Sequence, residues 1–322
     1  MTPFEKLDRF LRNLYETAFY FAVMAVKENF RNYVGRAGTP GTPRGTMAIL
    51  GNGPSLAEEL PELLRDPGDR DFMAVNYFAL DERFTLLRPS YYVLSDPMFF
   101  RDSPLRDRVA ELYRVMNERV AWPMTLYVQY YNPERFDYRA ALPNPLIRIV
   151  PFHTTLFRGF RSLEFRLFRR GLGSANFGTV VQVGEYIALL LGYRRVELYG
   201  VDHTLLEGLC VDGRNRLCRA DRHYYDDGTA REPQPVFQKV PPVPYTMASY
   251  LAEVAELFRG HEVLRDYAAW LGARIVNCTR GSMIRTPDRS RCTGKGRPAC
   301  TGRPFFVGRK PPLIGAACGL RR

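Results

Sequence analysis

Met47–Leu56, MAILGNGPSL, is the stretch on which the reading of this chain turns. Four apolar residues run into Gly51-Asn52-Gly53-Pro54-Ser55, and a Glu/Leu-rich helical pattern follows. Strand, tight glycine turn and helix in that order put backbone N–H groups at the carboxyl edge of a sheet, where open α/β folds take phosphate-bearing ligands. Gly51 and Gly53 permit close backbone approach, while Pro54 and Ser55 suit the first turn of a helix. The spacing is neither GxGxxG nor GxxxxGK[ST], so the dinucleotide fingerprint and the P-loop do not apply. An ordinary strand-to-helix turn is the competing reading.

Outward from that turn, short apolar runs alternate with helical patterns. Strands are predicted at Met47–Leu50, Phe72–Val75, Tyr91–Leu94, Leu126–Gln129, Leu146–Val150, Val196–Tyr199 and Arg274–Asn277. Helices are predicted at Leu56–Leu64, Leu105–Val120, Gly178–Leu191, Thr246–Phe258 and Glu262–Leu271. The strands are continuously apolar rather than alternating, as expected of a sheet covered on both faces. Right-handed crossovers then give a doubly wound, mainly parallel, Rossmann-like α/β sheet spanning residues 46–282. Residues 204–245 lose this pattern and are rich in Pro, Gly, Arg and Tyr, which reads as an inserted lid over the ligand edge.

Residues 3–34 read as one helix with an apolar centre, Ala18–Val26, and basic flanks, too short to cross a bilayer. It suits a peripheral membrane interface or packing on the domain. Gly35–Gly45 is a Gly/Pro/Thr linker. The formal charge is +12, but Arg285–Arg322 holds ten Lys/Arg against Asp288 alone, +9 of that total. The charge is a property of residues 283–322, read as a disordered tail, and no nucleic-acid partner is expected of the rest. The six cysteines form no CxxC pair, and no secretory leader is visible, so a cytoplasmic setting is expected. Cys210 and Cys218 read as a loop pair rather than a metal site.

Four polar clusters follow four separate predicted strands and would meet on one rim: Asn52 with Gly53 and Ser55, Asn76 with two aromatics, Ser95 with Asp96, and Asp202 with His203. Amides and carboxylates there can read ribose hydroxyls and a base edge, while glycine N–H groups take phosphate. Each cluster alone is also common turn chemistry.

At AILGNGPSL (Ala48–Leu56), AVNYFAL (Ala74–Leu80), YYVLSDPMFF (Tyr91–Phe100) and GTVVQVGEYIALLLGYRRVELYGVDHT (Gly178–Thr204) the chain resembles the bacterial CMP-sialic acid-dependent sialyltransferases of glycosyltransferase family 42. A wider related group includes MptE-like pterin diphosphokinases. The resemblance implies a GT-A-variant fold, a CMP-sugar donor used as co-substrate with no bound cofactor or metal, and a glycan acceptor. It places Asn52, Gly53, Ser55, Asn76, Asp96, Gly178 and Thr179 around the donor nucleotide, with Asp202 on the same rim. Asp96 stands where the family has Asn, and the helix after Gly178 is about one turn longer.

The family's lid supplies two tyrosines to the leaving phosphate and a histidine base. Here the lid holds His223, Tyr224 and Tyr225, and His223 is the base expected by character. A neutral imidazole can take the acceptor proton, and phenol O–H groups can meet charge on the phosphate. His203 beside Asp202 is the rival base, whereas His153 and His261 read as structural, His261 at a helix junction. Arg214, Arg216, Arg219 and Arg222 would attract an anionic ligand. Two other classes stay open: an ATP- and Mg²⁺-dependent diphosphotransferase using Asp96, Asp202 and Asp226, and a nucleic-acid binder acting through the basic tail. A homo-oligomer is compatible with all of them.

Overall fold

Strands whose side chains are apolar on both sides need helices on both sides, and the order of elements supplies them. The computed structural model describes residues 2–27, 44–101, 103–129, 136–220, 224, 232–238 and 243–285. Helix α1 (Pro3–Lys27) precedes an alternating series: β1 (Arg44–Leu50), α2 (Leu56–Arg65), β2 (Arg70–Val75), α3 (Phe84–Leu87), β3 (Tyr91–Leu94), α4 (Arg106–Arg119), β4 (Met124–Gln129), α5 (Tyr138–Ala141) and β5 (Ile147–Phe152). Then come α6 (Arg161–Arg169), α7 (Val180–Leu190) and β6 (Tyr193–Tyr199). The short strands β7 (Leu209–Val211), β8 (Leu217–Arg219) and β9 (Gln234–Pro235) follow, and α8 (Met247–Trp270) and β10 (Arg274–Asn277) close the series.

Seven strands form one sheet in the order β10-β6-β1-β2-β3-β4-β5. Every neighbouring pair in it is parallel, with Ala48 opposite Phe72 on one side and Glu197 on the other. This is a doubly wound α/β fold of Rossmann-like kind. All seven predicted strands are present. The chain runs outward from β1 to β5 and returns to lay β6 on the other flank of β1, so the order reverses at the β1–β6 junction.

The pleat divides the core cleanly. Ile49, Met73, Val93 and Leu198 face the layer containing α6, α7 and α8, whereas Ala48, Leu50, Ala74, Tyr92 and Leu126 face α2 and α4. Helix α7 is buried from Val180 to Leu189, which explains its uninterrupted apolar run. Helix α1 places Met24 in the first layer and tucks Thr17 against Gly159, where a Cβ would collide with the threonine.

Two expectations change. The two helices predicted around Gly260 are one helix, α8, and His261 lies inside it rather than at a junction. A Cβ on Gly260 would lie 2.5 Å from the Gln182 amide nitrogen and 2.7 Å from the Asn176 oxygen, so this glycine serves close packing on α7 rather than a break. Second, the segment after β6 contains a small antiparallel sheet, β7-β8-β9, in which Cys210 and Cys218 face each other as strand partners and remain free thiols. The aromatic run Phe157–Phe168 contains α6, and Phe157, Phe165 and Phe168 pack in the core. Of residues 3–34, helix α1 is described through Lys27; residues 28 to 43 and the tail from 286 onward lie outside the described residues.

Candidate functional site

The sheet order puts the ends of β6, β1, β2 and β3 side by side, so Asp202, Asn52, Asn76 and Asp96 stand in that sequence along one carboxyl edge. Parallel strands lie about 4.8 Å apart, and the row is therefore the length of a nucleotide rather than of a protein face.

The glycine turn at the β1–β6 junction is committed to the chain itself. Gly51 N–H donates to the Tyr199 carbonyl at 2.8 Å, and Gly53 N–H donates to the Gly200 carbonyl at 2.8 Å. A Cβ on Gly53 would overlap the Asp202 carboxylate and lie 2.7 Å from the Gly200 oxygen. Ser55 Oγ donates to Asp202 Oδ2 at 2.9 Å, and the Ser55 N–H points to the same oxygen at 3.4 Å. The carboxylate of Asp202 thus sits at the N-terminus of α2, the place where the sequence expects a phosphate. Burial pushes the Asp202 carboxyl upward, opposed by the two bonds from Ser55. Behind it, the buried Glu59 accepts from Gly200 N–H and from Arg280 N–H, both at 2.8 Å, and burial raises its carboxyl to about 7.

One strand over, the situation reverses. Asn52 Nδ2 donates to the Val75 carbonyl at 3.4 Å, which turns Oδ1 the other way, and among the described residues that buried oxygen has no partner. Asn76 adopts the left-handed backbone, φ 51°, its N–H bonded to Val93 and its carbonyl to the Tyr92 hydroxyl. Its Oδ1 is likewise buried and unpartnered. Asp96 caps the 3-10 turn Pro97–Phe99 near Tyr77, whose ring lies 4.6 Å from the Arg108 guanidinium.

Gly178 and Thr179 are placed by packing. A Cβ at Gly178 would lie 2.8 Å from Leu257 Cβ of α8, and Thr179 caps α7 by accepting from the Val181 N–H. Of the predicted lid residues, Tyr224 is buried, its N–H bonded to the Asn52 carbonyl at 3.1 Å and its ring against Phe78. Its hydroxyl approaches Asp81. His223, Tyr225, Arg222 and Asp226 lie outside the described residues. Arg216 pairs with Asp212, and Arg219 bonds the Tyr250 hydroxyl at 2.5 Å.

His203 directly follows Asp202, again with a left-handed backbone, φ 52°. Its Nε2 lies 3.0 Å from Nε2 of His261, and His261 Nδ1 lies 2.9 Å from Glu185 Oε1. Glu185 and His261 are fully buried. Burial, then the neighbouring His261, lowers the His203 imidazole to about 3. Glu185 escaped the sequence reading; its signal was a lone acid inside the apolar run VVQVGEYIALLL. His153 is buried beside Thr155 at 3.2 Å, in keeping with a structural role. Among the described residues no three His, Cys, Asp or Glu side chains are grouped to hold a metal ion, and no helix is long and apolar enough to cross a membrane.

No protein-family model matches the chain, and no curated protein matches it. Among solved structures, a MAf glycosyltransferase from Magnetospirillum magneticum AMB-1 is similar at 18% identity and TM-score 0.42, over 77% of this chain and 34% of that one. The chain therefore spans about a third of that protein's length. A mammalian sialyltransferase in complex with Gal-beta-1-3GalNAc-ortho-nitrophenol is similar at 12% identity and TM-score 0.31, over 80% of this chain and 84% of that one. Both of these structures are glycosyltransferases, one of them a sialyltransferase.

Proposed function

We propose that the chain is a glycosyltransferase that moves an acidic sugar, sialic acid or a related 2-keto acid, from a CMP-activated donor to a cell-surface glycan. The observation that carries this reading is the pair of buried, unpartnered amide oxygens of Asn52 and Asn76, on adjacent strand ends beside the point where the strand order reverses. A buried acceptor without a donor costs about 1–3 kcal/mol. Two such oxygens select a ligand that brings O–H or N–H groups, such as ribose hydroxyls or the amino group of cytosine. They disfavour a phosphate, which brings only acceptors. The nucleoside end of the donor would therefore lie over β1 and β2, and the resemblance to the CMP-dependent sialyltransferases supports CMP as that nucleotide.

An imidazole would take the acceptor proton, with His203 and His223 as the two histidines for it. Tyrosine hydroxyls of the lid, Tyr224 and Tyr225, would meet the leaving phosphate, with no metal assigned a part. Half-exposed Leu7, Leu11 and Leu14 give α1 an apolar face suited to a membrane interface on the cytoplasmic side, where such acceptors are built.

Calorimetry with CMP tests the donor directly, and incubation with CMP-sialic acid and a simple galactoside tests the reaction. Binding and CMP release, both unaltered by EDTA, are expected. Absence of CMP binding together with absence of transfer and of donor hydrolysis overturns the assignment. Nucleotide binding that appears only with Mg²⁺ and ATP would point to diphosphotransfer instead.

A further inference from the structure

We propose that Glu185 and His261 form a proton relay behind His203, which makes His203 the base for the acceptor hydroxyl and the other two its positioning residues. The proposal rests on the transferase reading above and deepens it. Its observations are two short contacts: Glu185 Oε1 to His261 Nδ1 at 2.9 Å, close but not aligned as a hydrogen bond, and His261 Nε2 to His203 Nε2 at 3.0 Å. The chain starts on α7, crosses α8 and ends at the sheet's ligand edge, on the residue after Asp202.

A second buried carboxylate shows what an ordinary structural acid looks like in this fold. Glu197 accepts from Arg70 at 2.9 Å, Arg195 at 2.6 Å and the Tyr199 hydroxyl at 2.9 Å. Although burial alone would raise its carboxyl, those bonds hold it below the usual range. Glu185 has no such company. Among the described residues neither of its oxygens has an aligned hydrogen bond, and its contact with His261 Nδ1 is one of proximity. A fully buried acid supplied with one imidazole is an expensive arrangement for stability alone. His203 adds a second local cost, since at φ 52° the Cβ of a non-glycine residue crowds the backbone. Such costs gather at functional sites.

The tautomers follow from the contacts. In the relay His261 carries its proton on Nδ1, facing Glu185, which leaves His261 Nε2 as an acceptor. His203 then donates from Nε2, and its Nδ1 carries the free lone pair. During transfer the acceptor oxygen bonds to the anomeric carbon as the carbon–oxygen bond to the nucleotide phosphate breaks, and that bond's electron pair leaves with the phosphate. The hydroxyl proton goes to His203 Nδ1. The Nε2 proton of His203 passes to His261 Nε2, and the Nδ1 proton of His261 passes to Glu185. All three groups end neutral. This answers the difficulty that burial sets against a lone imidazolium at His203: the charge is never left there.

The chain has four histidines, so ring nitrogen NMR on ¹⁵N-histidine-labelled full-length protein can assign each tautomer. The expected pattern at neutral pH is His203 protonated on Nε2 and bare at Nδ1, with His261 protonated on Nδ1. A proton on Nδ1 of His203 in the wild type overturns the relay and needs no variant to show it. In the transfer assay Glu185→Gln keeps an acceptor for His261 but is not expected to take a proton, so kcat should fall roughly 10²–10⁴-fold, with donor KM within about threefold. An unchanged kcat in folded Glu185→Gln overturns the proposal. Failure of the wild type to bind CMP, with the tautomers as stated, counts against the donor reading and supports the relay as built.

Discussion

Two neighbouring junctions at one sheet edge have opposite hydrogen-bond economies. Between β6 and β1, the glycine amides, the Ser55 hydroxyl, the Asp202 carboxylate and Glu59 bond one another. Between β1 and β2, two amide oxygens are buried with nothing to accept. The glycine-rich motif that looks made for a ligand instead holds two strand ends together, and the unpartnered acceptors lie one strand away. A tight turn and a ligand cradle need the same residues, so composition does not separate them; the partners of the N–H groups do.

Filling the closed junction should have the largest effect. Gly53→Ala drives a methyl into Asp202 and the Gly200 carbonyl, and Gly51→Ala drives one into the Gly200 carbonyl, so each should cost about 3 kcal/mol or more in urea unfolding. A variant that keeps its stability and loses nucleotide binding instead would return the glycines to the ligand. Next, Glu59→Ala strands the N–H groups of Gly200 and Arg280 and should cost about 2–3 kcal/mol.

The open junction should answer differently. Asn52→Ala is expected to change stability by less than about 1 kcal/mol while weakening CMP about tenfold by calorimetry, because the oxygen it removes has no partner in the free protein. Asn76→Gly should behave alike, since glycine accepts φ 51° without strain. Equal losses of stability at both junctions would erase the contrast.

The smallest effect is a slope. Glu59 rises from 4.5 to about 7 on folding, so the folded state holds its proton more tightly. Its contribution is full below pH 4.5 and is lost as pH climbs to about 7. His203, lowered from 6.5 to about 3, acts in the opposite sense over part of that range. The difference in unfolding free energy between wild type and Glu59→Gln isolates the first term and should decline from pH 4.5 to 7. A flat difference would mean that Glu59 is not held as described.

Much of the framework was legible because buried parallel strands leave unbroken apolar runs such as MAIL and YYVL, and strand-end polar residues mark the edge they share. Helix α8 was misdivided because Gly260 reads as a terminator when only its lack of a side chain matters, against Gln182 and Asn176. Strands β7, β8 and β9 are two or three residues long and carry no period. The placing of Asn52 and Asn76 on one edge followed from their positions after two strands, but that their oxygens lack donors is a matter of three-dimensional surroundings. The contacts among Glu185, His203 and His261 join residues from three distant segments, and no local pattern announces them.

Strand β1 has a further consequence, for the order in which the molecule can be made. It is interior to the finished sheet, yet on one flank its partner is β6, with Arg44 opposite Tyr193 and Leu50 opposite Tyr199. During synthesis from the N-terminus, β1 can pair with β2 while its other edge waits for the chain to reach Tyr199. A nascent chain thus carries an apolar strand with one row of backbone groups uncovered, the kind of edge that recruits strands from other molecules. Slow translation between Phe152 and Tyr193 should prolong that exposure, and the yield of folded protein should fall with it.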